Sequence, residues 1–400
     1  MESYQFLLVL AIILLSTKVL GLLSERVHMP QVVGALLAGV ILGPSVLGMV
    51  TETDFLMKVS EIGVIVLMFT AGLDTDIKEL KKTGFASFVI AVIGVVVPLA
   101  CGFGCYMAFF SDTADPANVL KATFIGVVLT ATSVSITVET LREMGKLRGK
   151  VGTAILGAAV IDDILGLIVL TVISGFADPS VNPASVFIRI LLFFVFIAIV
   201  GFGAYQVFKK MDKAWGEKRR VAIVGLVFCL ILAYISEVVF GIADITGAYF
   251  AGLILCNIMR TREYIAKKMT VISYMFFSPL FFASIGIKTV VTGMTGTLVV
   301  FSLILLAVAI LSKIIGCGLG AKVCGFNMHE SVSVGIGMIS RGEVALIVAQ
   351  KGAQAGLISE SLFPAIVVVV IVTTLITPIL LKIAMKKDPT PPPAQGQQTA

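Results

Sequence analysis

The sequence predicts an all-α polytopic membrane protein of about thirteen transmembrane helices. Three observations carry that reading. The 400-residue chain is 58% hydrophobic and only 14% charged, whereas soluble domains average about a quarter charged. Its mean hydropathy is +1.06. Its apolar runs approach the roughly 20 residues a spanning helix needs and far exceed the roughly 10 of a barrel strand.

Hydropathy places the segments near residues 5–23, 30–49, 56–73, 85–110, 118–140, 151–175, 184–207, 221–239, 243–257, 269–287, 295–319, 330–350 and 361–384. The first lacks a small-residue cleavage site and is read as a retained helix rather than a signal peptide. Charge gives an independent check. With the N-terminus outside, the inward connections hold 22 of the 30 Lys and Arg residues, among them Lys78, Lys81, Lys82, Arg142, Arg148 and the run FKKMDKAWGEKRR at 208–220. The opposite loops are acidic or neutral, as in TETD, SDTADP and FADPSVNP, apart from Lys288 and Lys351. The positive-inside rule therefore predicts an N-out, C-in protein of a cell inner (plasma) membrane.

The net charge of +6 is explained by those inner loops and does not point to nucleic acid. The six cysteines fall mostly within apolar segments, where they read as small buried hydrophobes. With two histidines, His28 and His329, in short loops, no metal centre is expected. No GxxxxGK[ST] loop is present, no soluble domain core is visible, and the proline-rich end, residues 386–400, reads as a disordered cytoplasmic tail. Such a chain needs no cofactor, and a transporter built this way runs on ion gradients.

The most basic connection follows the seventh segment, leaving six segments on each side of it. Because the first segment enters from outside and the eighth from inside, the two six-helix halves have opposite orientation, a common transporter plan.

Intramembrane polarity then singles out the candidate site. Segment 5 carries TATSVSIT (130–137), five hydroxyl residues within eight, including Thr132 and Ser133. Such residues weaken a helix locally, and an unwound stretch would offer carbonyl oxygens to a cation. Segment 12 carries GIGMISRGEVA (335–345), with three glycines, Arg341 and Glu343, which again predicts a broken helix, in the corresponding part of the other half. Paired interruptions of this kind point to a midplane binding site. Arg341 and Glu343 also admit a simpler role, the compensation of charge at helix ends.

Segment 6 carries Asp162 and Asp163 inside an apolar run, and segment 11 carries Lys313. One charge at the bilayer centre costs about 2.5–3.5 kcal/mol even on lenient insertion scales. A buried Asp–Lys ion pair would account for one carboxylate and leave the other. Adjacent helix positions lie about 100° apart, so one aspartate can face Lys313 while its neighbour faces a cavity. A carboxylate in that setting is tolerated when protonated, hydrated or bound to a cation, and the set would titrate together. Competition between a small hard cation and protons follows from that chemistry.

Taken together, TATSVSIT, GAAVIDDILGLI (157–168), SPLFFASIGIKT (278–289), the lysine of ILSKIIG and GMISRGEVALIVA resemble the bacterial and archaeal sodium/proton antiporters of the monovalent cation:proton antiporter-2 family. The resemblance covers residues 1–385. It implies two inverted six-helix repeats with two broken crossing helices, segments 5 and 12. It also implies a homodimer, with dimer-domain helices at about 5–73 and 221–287, core-domain helices at about 85–175 and 295–384, and a linker helix at about 184–207. By the same resemblance Asp163 is the principal ion-binding carboxylate, Asp162 is the partner of Lys313, and Thr132 and Ser133 lie in the unwound stretch. Retention of both aspartates with the lysine resembles the electrogenic type. Because the chain ends soon after the last helix, no sensing domain is expected behind it. K⁺/H⁺ exchange at the same site, and a channel or sensor subunit, stay open as alternatives.

Overall fold

The computed structural model of the chain describes residues 4–27, 29–110, 117–177, 183–215, 219–288, 295–354, 356–358 and 362–387. No β-strand occurs among them. The first half holds α1 (Gln5–Arg26), α2 (Gln31–Leu42), α3 (Asp54–Asp74), α4 (Ile77–Phe110), α5 (Asn118–Thr130), α6 (Val134–Glu143) and α7 (Lys150–Ala177). After α8 (Pro183–Trp215) come α9 (Arg219–Phe240), α10 (Asp244–Leu255), α11 (Met259–Ile272), α12 (Ser278–Ile287), α13 (Gly296–Val323), α14 (Met328–Gly337), α15 (Glu343–Gln354) and α16 (Phe363–Ala384).

Pairing α5 with α6, α11 with α12, and α14 with α15 as single interrupted crossings reproduces the thirteen expected segments. Ten of these are long and apolar enough to span a bilayer, and α2 and α10 are shorter apolar helices. The expected second segment, 30–49, is longer than α2 because Gly43–Pro44 ends the helix: the residue before proline is pushed out of the α region. The chain then turns back, with Leu47 N–H donating to Ile41 O at 3.0 Å. Twelve residues span about 18 Å of rise, so α2 crosses only with its flanks surrounded by protein, and eight of its twelve residues are buried. Between α11 and α12 lies a five-residue π-helical stretch, Ser273–Phe277. Pro279, near the start of α12, lacks the N–H that would continue the regular ladder through it.

The two halves repeat each other's contacts. Helix α1 packs on α2 as α9 packs on α10, α4 on α5 as α13 on α14, and α4 on α7 as α13 on α16. The pairs α2–α12 and α3–α10 are likewise exchanged by the pseudo-two-fold relation, and α4 meets α13 across it. Glycines make the exchanged pairs close. A Cβ on Gly39 would overlap the backbone of Ala283, and one on Gly72 would overlap the backbone of Tyr249. Small residues of this kind let helix backbones touch where lipid offers no hydrophobic drive for association.

The helices thus fall into two packed groups, α1–α3 with α9–α12 and α4–α7 with α13–α16. Helix α8 lies against α9, α10 and α7. The outward faces of α1, α8 and α9 are rich in exposed Leu, Val, Ile and Phe, as expected of surfaces that meet acyl chains.

Candidate functional site

The two interrupted crossings meet in the middle of the second group. Helix α5 ends at Thr130, residues 131–133 run extended, and α6 starts at Val134. Helix α14 ends at Gly337, and α15 starts at Glu343 after a five-residue break. The breaks bond to each other. Ser133 N–H donates to Ser340 O at 2.7 Å, and the Thr137 hydroxyl donates to Gly337 O at 2.7 Å. Both interruptions fall inside the stretches singled out by their hydroxyl and glycine content.

A break leaves carbonyls at each helix C-end without intrahelical donors, and the dipole makes those ends negative. Arg341 answers both. Its guanidinium donates to Ile339 O at 2.8 Å beyond the end of α14, to Leu129 O at 2.8 Å near the end of α5, and to Ala309 O of α13 at 3.1 Å. Its side chain is fully buried. The Thr374 hydroxyl of α16 in turn donates to the Arg341 carbonyl. Arg341 therefore ties α5, α13, α14 and α16 into one junction. Glu343 opens α15, and its side chain lies outside the described residues.

Helix α7 brings the two aspartates to this junction. Lys313 Nζ donates to both Asp162 oxygens, at 3.1 and 3.4 Å. Both residues are buried, and the Thr132 hydroxyl in the nearby break donates to Thr130 O at 3.4 Å. Asp163, one position on, is only partly buried, consistent with the rotation between successive helix positions. The fold thus gathers Asp162, Lys313, Thr132, Ser133 and Arg341 from four separate elements, with Asp163 beside them. Chemically this is a set of carboxylate, hydroxyl and carbonyl oxygens, the ligands hard cations take, with a lysine that competes for one carboxylate.

The profile of one sequence family, described as "Sodium/hydrogen exchanger, transmembrane", matches residues 10–387. The chain belongs to the sodium/hydrogen exchanger family. This exchanger is 39% identical over 381 residues to a Na⁺/H⁺-K⁺ antiporter, GerN, of Bacillus cereus, covering 95% of this chain and 96% of that one. It is 36% identical over 388 residues to a Na⁺/H⁺ antiporter of Enterococcus hirae, covering 96% and 99%. Its fold matches the sodium proton antiporter MjNhaP1 of Methanocaldococcus jannaschii with a TM-score of 0.70 at 18% identity, over 96% of this chain and 98% of that one.

The exchanger also carries charged groups at the end of α6 that sequence reasoning did not place in a site. Glu139 and Glu143 on α6 line a cavity of about 320 Å³ with Lys18, Gln31, Tyr274 and Phe282. The Glu143 carboxylate accepts from the first backbone N–H groups of α2, Gln31 at 2.8 Å and Val32 at 3.3 Å. Arg142 reaches the Thr70 hydroxyl at 2.5 Å and Glu139 at 3.3 Å, and Arg148 meets Asp74 at 2.6 Å. These contacts join α6 and the turn after it to α2 and α3 of the other helix group. The signal that could have found them is the i, i+4 spacing of Glu139 and Glu143 on one face of a helix whose first half is apolar.

Proposed function

We propose that this exchanger is a secondary active antiporter that exports Na⁺, or Li⁺, in exchange for protons by alternating access, and that the exchange is electrogenic. The observation that carries the reading is the arrangement on α7. Asp162 is buried against Lys313, and Asp163 beside it is partly accessible next to two broken helices. In this reading Asp163 is the principal cation ligand, with Asp162, Thr132 and Ser133 supplying further oxygens. Na⁺ entering from the cytoplasm displaces a proton from Asp163 and breaks the Asp162–Lys313 pair, so that Lys313, as proton carrier, releases the second proton. The core group of helices, α4–α7 and α13–α16, then moves against the other group, which holds the homodimer together. Na⁺ leaves outside and protons reload the site.

Two protons entering per Na⁺ leaving carry one net positive charge inward. A membrane potential contributes about 2.3 kcal/mol per charge per 100 mV to that exchange. The N-out, C-in orientation in a plasma membrane follows from the basic inner loops, and the names of the B. cereus and E. hirae relatives support the ion pair Na⁺ and H⁺. K⁺ in place of Na⁺ at the same oxygens is the second reading, favoured by the K⁺ in the name of the B. cereus relative.

Reconstitution into liposomes tests the assignment. Asp163→Asn should abolish Na⁺-dependent proton movement, and full activity in that variant would defeat it. Exchange that ignores an imposed potential would defeat the electrogenic part, and a panel of Na⁺, Li⁺ and K⁺ decides between the two cations.

A further inference from the structure

The hydroxyl groups at the crossing are accounted for with one exception. Thr137 donates to Gly337 O, Thr374 to Arg341 O, and Thr132 to Thr130 O. The Ser340 side chain is fully buried, and its hydroxyl has no hydrogen-bond partner within the protein. Leaving a buried hydroxyl in that state costs about 1–3 kcal/mol, a cost that alanine would avoid at nearly the same volume. The position is not a general one. Ser340 sits in the break between α14 and α15, its carbonyl accepts from Ser133 N–H, and it precedes Arg341. It therefore abuts the one stretch of the first repeat that carries Thr132 and Ser133.

We propose that Ser340 Oγ is an oxygen ligand for the transported cation, contributed by the second repeat to the set supplied by Asp163, Asp162 and Thr132 of the first. This rests on reading the crossing as the transport site. A monovalent hard cation stripped of water needs several neutral oxygens besides its carboxylates. Ser340 has both its O–H and its lone pairs uncommitted, so it can turn its oxygen to a cation without giving up any bond within the protein. The desolvation cost carried by the ion-free protein is recovered when the cation binds, which makes the affinity depend on this one atom. The second repeat would also move with the cation, so occupancy would be sensed on both broken helices.

The test compares Ser340→Ala and Ser340→Cys with Ser333→Ala. Ser333, on α14, is another buried serine whose hydroxyl has no partner, seven positions before Ser340. In proteoliposomes, Ser340→Ala and Ser340→Cys should raise the apparent KM for Na⁺ by about tenfold or more, the loss expected for one interaction with a charged group. The purified variants should lose most of the thermal stabilisation that added Na⁺ gives, while their ion-free Tm stays level or rises because an unsatisfied hydroxyl is gone. Ser333→Ala should leave KM unchanged. A wild-type KM and wild-type Na⁺ stabilisation in both Ser340 variants would overturn the proposal, as would an equal KM shift in Ser333→Ala. Asp163→Asn separates the parent reading: exchange retained in that variant overturns the site and this ligand together, whereas loss there with wild-type Ser340 variants overturns only the ligand.

Discussion

Asp162 on α7 and Lys313 on α13 face each other at 3.1 Å with side chains 1% and 0% exposed. Taking one partner from such a pair leaves an uncompensated buried charge and costs about 3–5 kcal/mol, whereas replacing both by neutral groups of similar size is far milder. Lys313→Met should therefore lower the unfolding temperature of the purified protein sharply, and Asp162→Asn with Lys313→Met should recover most of the loss. Additive losses in the double variant would show that the two groups are not coupled.

Arg341 is the second prediction, and it turns on geometry rather than charge. Three carbonyls on three elements share one planar guanidinium, which a lysine ammonium at the end of a flexible chain does not reproduce. Arg341→Lys should cost more than about 3 kcal/mol, since each hydrogen bond to a charged group is worth about 1.5–3, and Arg341→Met should cost more still. Thermal unfolding in detergent measures both. A lysine variant as stable as the parent would mean that charge at the helix ends is sufficient.

The contrast between these residues explains what the sequence could and could not reveal. Asp162, Asp163 and Lys313 were legible because charges within apolar runs are expensive and must find one another or an ion. The breaks at 131–133 and 338–342 were legible because hydroxyl and glycine clusters interrupt otherwise uniform apolar segments. The targets of Arg341 were not, since Leu129 and Ala309 are ordinary apolar residues whose carbonyls matter only after the crossing has formed. Glu139 and Glu143 were missed for a related reason: they lie just before a basic loop, and nothing sets them apart until α2 and α3 are packed beside them. Hydropathy overstated segment 2 because it registers apolar content and not the Gly43–Pro44 stop.

Proton competition gives a third prediction, resting on the proposed antiport. If Na⁺ and protons share Asp163, acidification should raise the apparent KM for Na⁺. The rise should reach about tenfold per pH unit once the carboxylate is mostly protonated, as one exchanged proton requires. The maximal rate at saturating Na⁺ should change much less. Initial-rate assays in proteoliposomes over a pH series decide it, and a KM independent of pH would mean separate sites for the two ions.

The close crossings supply a fourth. At Gly72 and Gly252 the backbones of α3 and α10 touch, since a Cβ on Gly252 would overlap Phe69 O and one on Gly72 would overlap Tyr249 O. No side-chain rotation relieves a clash with backbone, so Gly72→Ala or Gly252→Ala must force the helices apart. The expected result is a loss of about 1–3 kcal/mol, typical of overpacking, whereas Gly104→Ala, which meets nothing within 4 Å, should be tolerated. Equal stability of all three variants would mean that α3 and α10 separate without cost.

Glu143 provides the last. Its carboxylate caps the N-terminus of α2, where the dipole favours an anion, yet it belongs to α6 in the other helix group. If exchange moves one group against the other, this bond must break and re-form in every cycle. Loss of a cap costs about 0.5–2 kcal/mol, so Glu143→Ala should lower the unfolding temperature modestly. Its effect on transport should fall on the turnover rate, with the KM for Na⁺ unchanged, because the residue holds a helix end rather than the cation. Glu143→Gln keeps an acceptor without the charge and should lie between the two. A shift in KM without a shift in turnover would instead place Glu143 on the path of the ion, by way of the cavity it shares with Glu139.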